Sequence, residues 1–256
     1  MGKRVIFGLL YGASMIGLFG WADQYAPLVL AGFTLLLLNE TAKMVALDTR
    51  ALLLALASVS LAVFGLNGWG EPQVLIASSI TFAVLLAFAA LRSSRPGLNV
   101  RNGLFTVAYI WTPMVFLVQE SSTNSNVLLF ALFLIWSSDT LAYFAGRAFG
   151  KRALAPELSP KKTIEGAIGG VAGTLIVAYF LNPYTADVST AHGLAIGLAV
   201  SICAPLGDLV ASALKREAGI KDSGIFLPGH GGALDRLDSF IIAAPVALLI
   251  HSYWLW

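Results

Sequence analysis

Long apolar runs separated by short polar connections cover almost all of the 256-residue chain. Several runs are shorter than the roughly 20 residues of an ideal membrane span, so the span boundaries are defined only to within several positions. The pattern therefore predicts an all-α, polytopic membrane protein with about nine transmembrane helices. The predicted spans are 5–21, 26–45, 51–66, 74–91, 104–117, 127–148, 164–181, 194–214 and 237–256.

Composition supports the bilayer as the solvent of this chain. Hydrophobic residues make up 57% and charged residues 12%, and the mean hydropathy is +0.80, whereas soluble domains carry roughly 25% charged residues. We therefore predict one membrane-embedded catalytic domain over residues 1–256. The single cysteine, Cys203, excludes an internal disulfide, and the net charge of +2 indicates no nucleic-acid partner.

The positive charges give the predicted orientation. If the N-terminus is cytoplasmic, all 16 Lys and Arg residues fall on the cytoplasmic side. The connections on the opposite side contain no Lys or Arg, and their charged residues are acids such as Asp23, Glu120 and Asp187. By the positive-inside rule, this asymmetry predicts nine spans, with the C-terminus on the far face. The first run is interpreted as an uncleaved anchor rather than a signal peptide. A bacterial inner (plasma) membrane is the simplest location.

Polar residues are unevenly distributed along the chain. Residues 1–125 have few charges within the predicted spans, which favours a scaffold of helices and a lipid-facing wall. Residues 126–240 contain the polar clusters and are predicted to be the catalytic region, followed by the last helix at 237–256. The glycines at 166, 169, 170 and 173 have the spacing of closely packed membrane helices.

Three carboxylates fall near one end of the last two predicted spans. Asp208 is followed at helical offsets by Ser212, Lys215 and Arg216, so these side chains share a helix face. Asp235 and Asp238 are three residues apart and also share a face. Such a group suits an oxygen-ligated Mg²⁺ that also holds substrate phosphates. Alternatively, the same residues form ion pairs that tie helix ends together.

A second polar group precedes the seventh predicted span. Asp139 lies about ten residues, or ~15 Å, from the helix end, where an unpaired carboxylate is costly in a membrane. The segment Ser159-Pro-Lys161-Lys162-Thr163 places cations and hydroxyls before a helix N-terminus, which favours polyphosphate binding. A capped helix start with ordinary cytoplasmic lysines is the alternative.

Residues 136–240 resemble the phosphatidate cytidylyltransferase (CDP-diacylglycerol synthase) family. The resemblance rests on Asp-Thr-Leu-Ala-Tyr-Phe-Ala-Gly at 139–146, Ser-Pro-Lys-Lys-Thr-Ile-Glu-Gly at 159–166, Ser-Ala-Leu-Lys-Arg at 212–216 and Lys-Asp at 221–222. It also rests on Pro-Gly-His-Gly-Gly-Ala-Leu-Asp-Arg-Leu-Asp at 228–238. It implies a nucleotidyltransferase that converts CTP and phosphatidate to CDP-diacylglycerol and pyrophosphate in phospholipid biosynthesis.

The resemblance also implies site roles. The catalytic residues would be Asp208, Asp235, Asp238 and Lys215, with the three aspartates as Mg²⁺ ligands; a second cation is left open. His230, between glycines, is interpreted as ordering its loop or contacting phosphate rather than transferring a proton. The predicted substrate and phosphate contacts are Asp139, Ser159, Lys161, Lys162, Thr163, Ser212, Arg216, Lys221, His230, Gly231, Gly232 and Arg236.

The expected partners are CTP from the cytoplasm, phosphatidate from the inner leaflet and membrane lipids; a homodimer is left open. Two other functions remain as alternatives. A CTP-dependent polyprenol or phytol kinase would share a nucleotide and metal site. An ion-coupled transporter would also keep buried carboxylates, but its site is expected near the midplane, whereas these charges gather at one face. The Asp-Gly-x-x-Ala-Arg pattern of CDP-alcohol phosphatidyltransferases is missing.

Overall fold

The computed structural model describes residues 2–66, 72–226 and 231–253 and is almost entirely α-helical. Two short 3₁₀ turns, Asp23–Tyr25 and Asn182–Tyr184, precede α2 and follow α8. The helices are α1 Gly2–Trp21, α2 Ala26–Met44, α3 Arg50–Leu66, α4 Pro72–Ala90, α5 Pro96–Thr106, α6 Thr112–Glu120, α7 Ser125–Phe149, α8 Ile164–Leu181, α9 Thr190–Glu217 and α10 Leu234–Ser252.

Within the described residues, the predicted apolar runs are helical, although 104–117 is divided between α5, a π turn and α6, so the helical class is confirmed. In this part of the chain, seven helical segments are apolar over a long stretch, and four of them are long and apolar enough to cross a membrane. These four are Asp23–Met44, Ser125–Phe149, Ile164–Tyr184 and Thr190–Glu217; the shorter apolar helices are Ile6–Trp21, Arg50–Val63 and Ile76–Ala90. The number of nine spans and the orientation of the termini stay predictions.

The run at 104–117 crosses a break in helical geometry. A π turn, Val107–Trp111, joins α5 to α6, and the Thr112 amide donates to the carbonyl of Val107. Pro113 follows and has no N–H to donate to the preceding turn, which explains why the regular ladder is interrupted here. Trp111 is fully buried and stacks on Phe82 with ring centroids 4.4 Å apart.

A small β-hairpin corrects the all-α prediction. Strand β1, Ala153–Ala155, pairs antiparallel with strand β2, Ser159–Thr163, with Ala153 opposite Thr163 and Ala155 opposite Ser159. The strands have three and five residues, and β2 is polar. They therefore lack the alternation of apolar residues by which a strand is recognised in a sequence.

The chain forms two compact units that interleave along the sequence. The first contains Met1–Ser14, Ala22–Thr123 and Asp222–Arg236; the second contains Met15–Trp21, Asn124–Lys221 and Leu237–Trp256. In the first unit, the core includes Leu37 and Leu38 of α2 and Met114 of α6, all fully buried. Each unit therefore draws on residues far apart in sequence.

The second unit is built on close packing of α7 against α8, and of α8 against α9. A Cβ on Gly169 would collide with Ala145, and one on Gly173 would collide with Leu141, both on α7. A Cβ on Gly197 of α9 would lie 2.7 Å from the Cβ of Ala178 on α8. The predicted packing role of the α8 glycines is therefore confirmed.

Candidate active site

The hairpin carries two neighbouring lysines of the predicted phosphate-binding segment. Consecutive strand residues point to opposite sides. Accordingly, Lys161 is exposed, whereas 26% of the Lys162 side chain is accessible. The Lys162 ammonium forms an ion pair with the carboxylate of Asp208 on α9. The hairpin thus brings one cation of the segment to the predicted catalytic helix.

Thr163, the last hairpin residue, is the N-cap of α8. Its backbone is extended, and its Oγ1 accepts a hydrogen bond from the amide of Gly166 at 3.1 Å. A Cβ on Gly146, Gly150 or Gly166 would come within 2.8–2.9 Å of this oxygen. The hydroxyl of Thr163 therefore serves the start of α8 in this structure, and its predicted contact with phosphate stays a prediction.

Glu165 fixes the other end of the hairpin. Its Oε2 accepts from the amides of Lys151 at 3.0 Å and Arg152 at 3.1 Å, and its Oε1 accepts from Nε of Arg152 at 2.9 Å. The sequence motif contained Glu165, but the sequence analysis gave it no role. Its contacts indicate that it holds the chain leaving α7 against the first turn of α8.

Asp208 and Asp238 lie where α9 and α10 come closest in the second unit. A Cβ on Gly207 would collide with the carbonyl oxygen of Asp238 and would lie 2.9 Å from Cα of Ser239. The missing side chain at 207 therefore lets the two backbones meet beside both carboxylates. Ser212 donates to Oδ1 of Asp208 at 3.3 Å, as the shared helix face predicts.

Two more charged residues, Asp139 and Lys215, belong to the group of Asp208, Asp238 and Lys162. Asp139 of α7 lies within electrostatic range of Lys162 and Asp208, and Asp238 lies within range of Asp208, Lys215 and Asp139. We call these five residues, Asp139, Lys162, Asp208, Lys215 and Asp238, the carboxylate–lysine cluster. The cluster thus combines three carboxyl groups, whose oxygens are of the type that hard divalent cations bind, with two ammonium groups.

Asp235 takes part in a different group of contacts, within the first unit. Its Oδ2 accepts from the amide of Ser223 at 2.8 Å, the hydroxyl of Ser223 at 3.1 Å and the amide of Gly232 at 2.9 Å. Gly231 has φ of +80°, and a Cβ there would collide with the same carboxylate. Of the two predicted glycines, Gly231 therefore makes room for Asp235, and Gly232 donates its amide to it.

The sequence analysis missed Glu40 on α2. Its carboxylate accepts from the hydroxyl of Ser223 and from the amides of Ala233 and Leu234, at 2.8–3.0 Å. We call Glu40, Ser223, Gly232, Ala233, Leu234 and Asp235 the Glu40 network. A signal was present: Glu40 is an ionisable residue inside the apolar run 26–45, and such residues are rare and usually functional.

The remaining predicted residues have contacts or exposure of their own. Arg216 donates to the carbonyl of Ile220 at 3.2 Å at the exposed end of α9, and Lys221 is exposed in the following segment. Arg236 is exposed on the first turn of α10, and Ser159 is half-buried at the start of β2. His230 lies outside the described residues.

The predicted metal site depends on which carboxylate oxygens lie close together. In the part of the chain that the structure describes, no three Asp, Glu, His or Cys side chains are close enough together to hold a metal ion. Asp208 and Asp238 nevertheless supply carboxylate oxygens, the ligand type that Mg²⁺ prefers, on two helices in direct backbone contact. The chemistry of these two donors therefore fits a hard divalent cation.

Comparison with known proteins identifies the class to which this fold and this polar site belong. The model of the cytidylyltransferase family matches residues 2–254. Because the match covers nearly the whole sequence, the chain belongs to the cytidylyltransferase family.

Individual relatives of this chain are named phosphatidate cytidylyltransferases. The phosphatidate cytidylyltransferase of Staphylococcus aureus (strain COL) is 40% identical over 174 residues, 66% of this chain and 66% of that protein. Those of Staphylococcus saprophyticus and Staphylococcus haemolyticus are each 39% identical, over 166 and 167 residues, or 64% of each chain. The similarity thus spans just under two thirds of the length of these relatives.

Proposed function

We propose that this protein is a phosphatidate cytidylyltransferase, which forms CDP-diacylglycerol and pyrophosphate from CTP and phosphatidate. The observation that carries the proposal is the carboxylate–lysine cluster, of which every residue except Asp208 comes from the segments through which the sequence resembles that enzyme family. Family membership and the names of the relatives support the same reaction. A cluster of acids and lysines at helix ends is suited to a metal-bound polyphosphate.

In the proposed reaction, a phosphate oxygen of phosphatidate attacks the α-phosphorus of CTP. A new P–O bond forms there while the bond from the α-phosphorus to the bridging oxygen breaks, and pyrophosphate leaves. The attacking phosphate is already anionic near neutral pH, so no general base is required. This is consistent with a binding or ordering role for His230.

The chain's own residues would orient the reactants and balance their charge. Lys162 and Lys215 would contact phosphate oxygens, since ammonium groups donate strongly to them. Further contacts would come from Lys161, Arg216 and Lys221. Asp208 and Asp238, with Asp235 as predicted from the sequence, would hold Mg²⁺, which neutralises charge on the transferring phosphate and on pyrophosphate.

We further infer a nine-span protein of a bacterial inner membrane, with its active site facing the cytoplasm. The complete separation of Lys and Arg from the opposite connections supports this orientation. CTP would then reach the site from the cytoplasm, and phosphatidate would enter from the inner leaflet.

A label-transfer assay tests the proposed reaction. It uses purified protein in nanodiscs that contain phosphatidate, in a buffer that contains Mg²⁺. With CTP labelled at the α-phosphorus, label is expected in the lipid phase; with CTP labelled at the γ-phosphorus, label is expected in pyrophosphate. A lipid kinase would move the γ-label into lipid, and a transporter would move neither. Either result with wild-type protein contradicts the proposal.

A further inference from the structure

Among the described residues, the three that directly precede α10 provide no side-chain cap. The residues before Leu234 are Gly231, Gly232 and Ala233, which have no side-chain oxygen to accept from the free amides of a first helical turn. Instead, Oε1 of Glu40 accepts from Ala233 N at 2.9 Å, and Oε2 accepts from Leu234 N at 3.0 Å. A carboxylate from α2, about 190 residues earlier, therefore caps α10.

The surrounding backbone leaves space for this carboxylate. A Cβ on Gly224 would lie 2.6 Å from Oε1 of Glu40, and one on Gly232 would collide with the hydroxyl of Ser223. Side chains at these two positions would displace the contacts that Glu40 makes. The Glu40 cap is thus part of the local fold of residues 223–226 and 231–235.

Ser223 connects Glu40 to Asp235. Its hydroxyl oxygen lies 2.8 Å from Oε2 of Glu40 and 3.1 Å from Oδ2 of Asp235. A hydroxyl has one proton to donate, so the two carboxylates compete for it while the Ser223 and Gly232 amides also hold Asp235. The place of the Asp235 carboxylate therefore depends on that of Glu40.

Glu40 lies in a helix that is long and apolar enough to cross a membrane. It is half-buried in α2, within the apolar segment Asp23–Met44. A carboxylate in such a helix is costly unless donors compensate it. Here two backbone amides at the positive end of a helix and one hydroxyl do so.

We propose that Glu40 is a positioning residue for the cytidylyl-transfer site: it anchors the first turn of α10 and the Ser223 segment, and through them sets the place of Asp235. This inference rests on the proposed function only for its catalytic consequence. The anchoring itself is a property of the fold.

The first measurement does not depend on activity. Hydrogen–deuterium exchange of the intact protein in nanodiscs is followed in peptides covering 223–235, for wild type, Glu40→Gln and Asp23→Asn. Asp23, at the other end of the same helical segment, is the matched acidic control. Glu40→Gln is expected to speed exchange of the Ala233 and Leu234 amides about 10-fold, because the charged cap is lost. Asp23→Asn is expected to leave them unchanged.

The second measurement is the label-transfer assay, expressed per folded molecule. Glu40→Gln is expected to lower kcat about 10- to 100-fold, as a displaced catalytic group does, and to raise the Mg²⁺ concentration needed for half the maximal rate. Glu40→Asp, which keeps the charge, is expected to recover part of the loss. Ser223→Ala is expected to lower kcat as well, and the double variant with Glu40→Gln should lose less than the product of the two effects.

The outcomes separate the two proposals. Unchanged exchange in Glu40→Gln overturns the anchoring. Faster exchange with wild-type kcat and Mg²⁺ dependence, or wild-type kcat in Ser223→Ala, overturns the positioning role and leaves Glu40 as a helix cap. If the wild type itself forms no CDP-diacylglycerol, the proposed function fails, while exchange still decides the anchoring.

Discussion

Asp208 forms its ion pair with Lys162 at a site where 26% of the lysine and 31% of the aspartate side chain are accessible. Partly exposed ion pairs stabilise proteins by roughly 0–1 kcal/mol. Stability alone therefore gives little reason to keep both charges at this point of a membrane protein. The proposed function gives a better one, because a nucleoside triphosphate needs cations and its metal needs carboxylates.

Lys162→Gln tests this interpretation of the pair. Loss of a charge-assisted hydrogen bond to phosphate is expected to lower kcat/KM for CTP about 10- to 100-fold, with little change in Tm. Lys151→Gln, an exposed lysine in the same connection, is the control and should behave as wild type. Steady-state label transfer and thermal unfolding measure the two effects.

Asp208→Asn is expected to abolish the metal-dependent rate. If the double variant Asp208→Asn, Lys162→Gln regained activity that each single variant lacks, the pair would be a structural salt bridge, and its catalytic role would be refuted.

Asparagine substitutions at Asp235 and Asp238 are expected to have the same effect on turnover but different effects on amide exchange. An amide cannot supply the charge that holds Mg²⁺, so Asp235→Asn and Asp238→Asn should each reduce turnover by at least about 100-fold in folded protein. Only Asp235→Asn should also speed amide exchange at Ser223 and Gly232, since those amides donate to Asp235. Near-normal turnover at saturating Mg²⁺ in either variant would remove that residue from the metal site.

At the scale of elements, the helices follow the apolar runs closely, and the hairpin does not follow any such pattern. A run of apolar residues records burial in lipid directly, because a membrane helix satisfies its own backbone hydrogen bonds. The hairpin at 153–163 is instead fixed by contacts with α8: Thr163 caps that helix, and Glu165 in its first turn binds the amides of Lys151 and Arg152 just before β1. Those contacts require the folded chain.

The crossing of α9 and α10 gives an element-scale prediction. Gly207→Ala would push a methyl group into the Asp238 carbonyl, so the helices must separate, and we expect a loss of about 1–3 kcal/mol in stability. The shift should also reduce turnover, because Asp208 and Asp238 flank the crossing. Gly17→Ala, in α1 of the same unit, has nothing within 4 Å of the new Cβ and should be neutral or slightly stabilising.

Thermal unfolding in detergent compares the two variants. Equal Tm values for Gly207→Ala and wild type would show that the close approach at 207 does not constrain the crossing.

At the scale of the whole molecule, the topology prediction depends on the charge asymmetry rather than on any single helix. In a Cys203→Ser background, a membrane-impermeant thiol reagent applied to intact cells should label Thr185→Cys and not Ser94→Cys. Thr185 follows α8 on the side predicted to be external, and Ser94 lies between α4 and α5 beside two arginines. Labelling of Ser94→Cys with protection of Thr185→Cys would refute the nine-span orientation.

The sequence by itself determined the helical class, the helix positions and the residues of the carboxylate–lysine cluster. These follow from local composition and from motifs in which spacing along one helix sets the face, as for Asp208 and Ser212. Only the tertiary structure decided the partners. It paired Asp208 with Lys162 of the hairpin in addition to Ser212 of its own helix, and it brought Asp139 within electrostatic range of both charges.

The tertiary structure also placed Asp235 in the network of Glu40, a residue of the half expected to be scaffold. The physical reason is that a hydrogen bond or ion pair between residues about 50 or 190 positions apart depends on how helices pack. No local pattern in the chain encodes that packing.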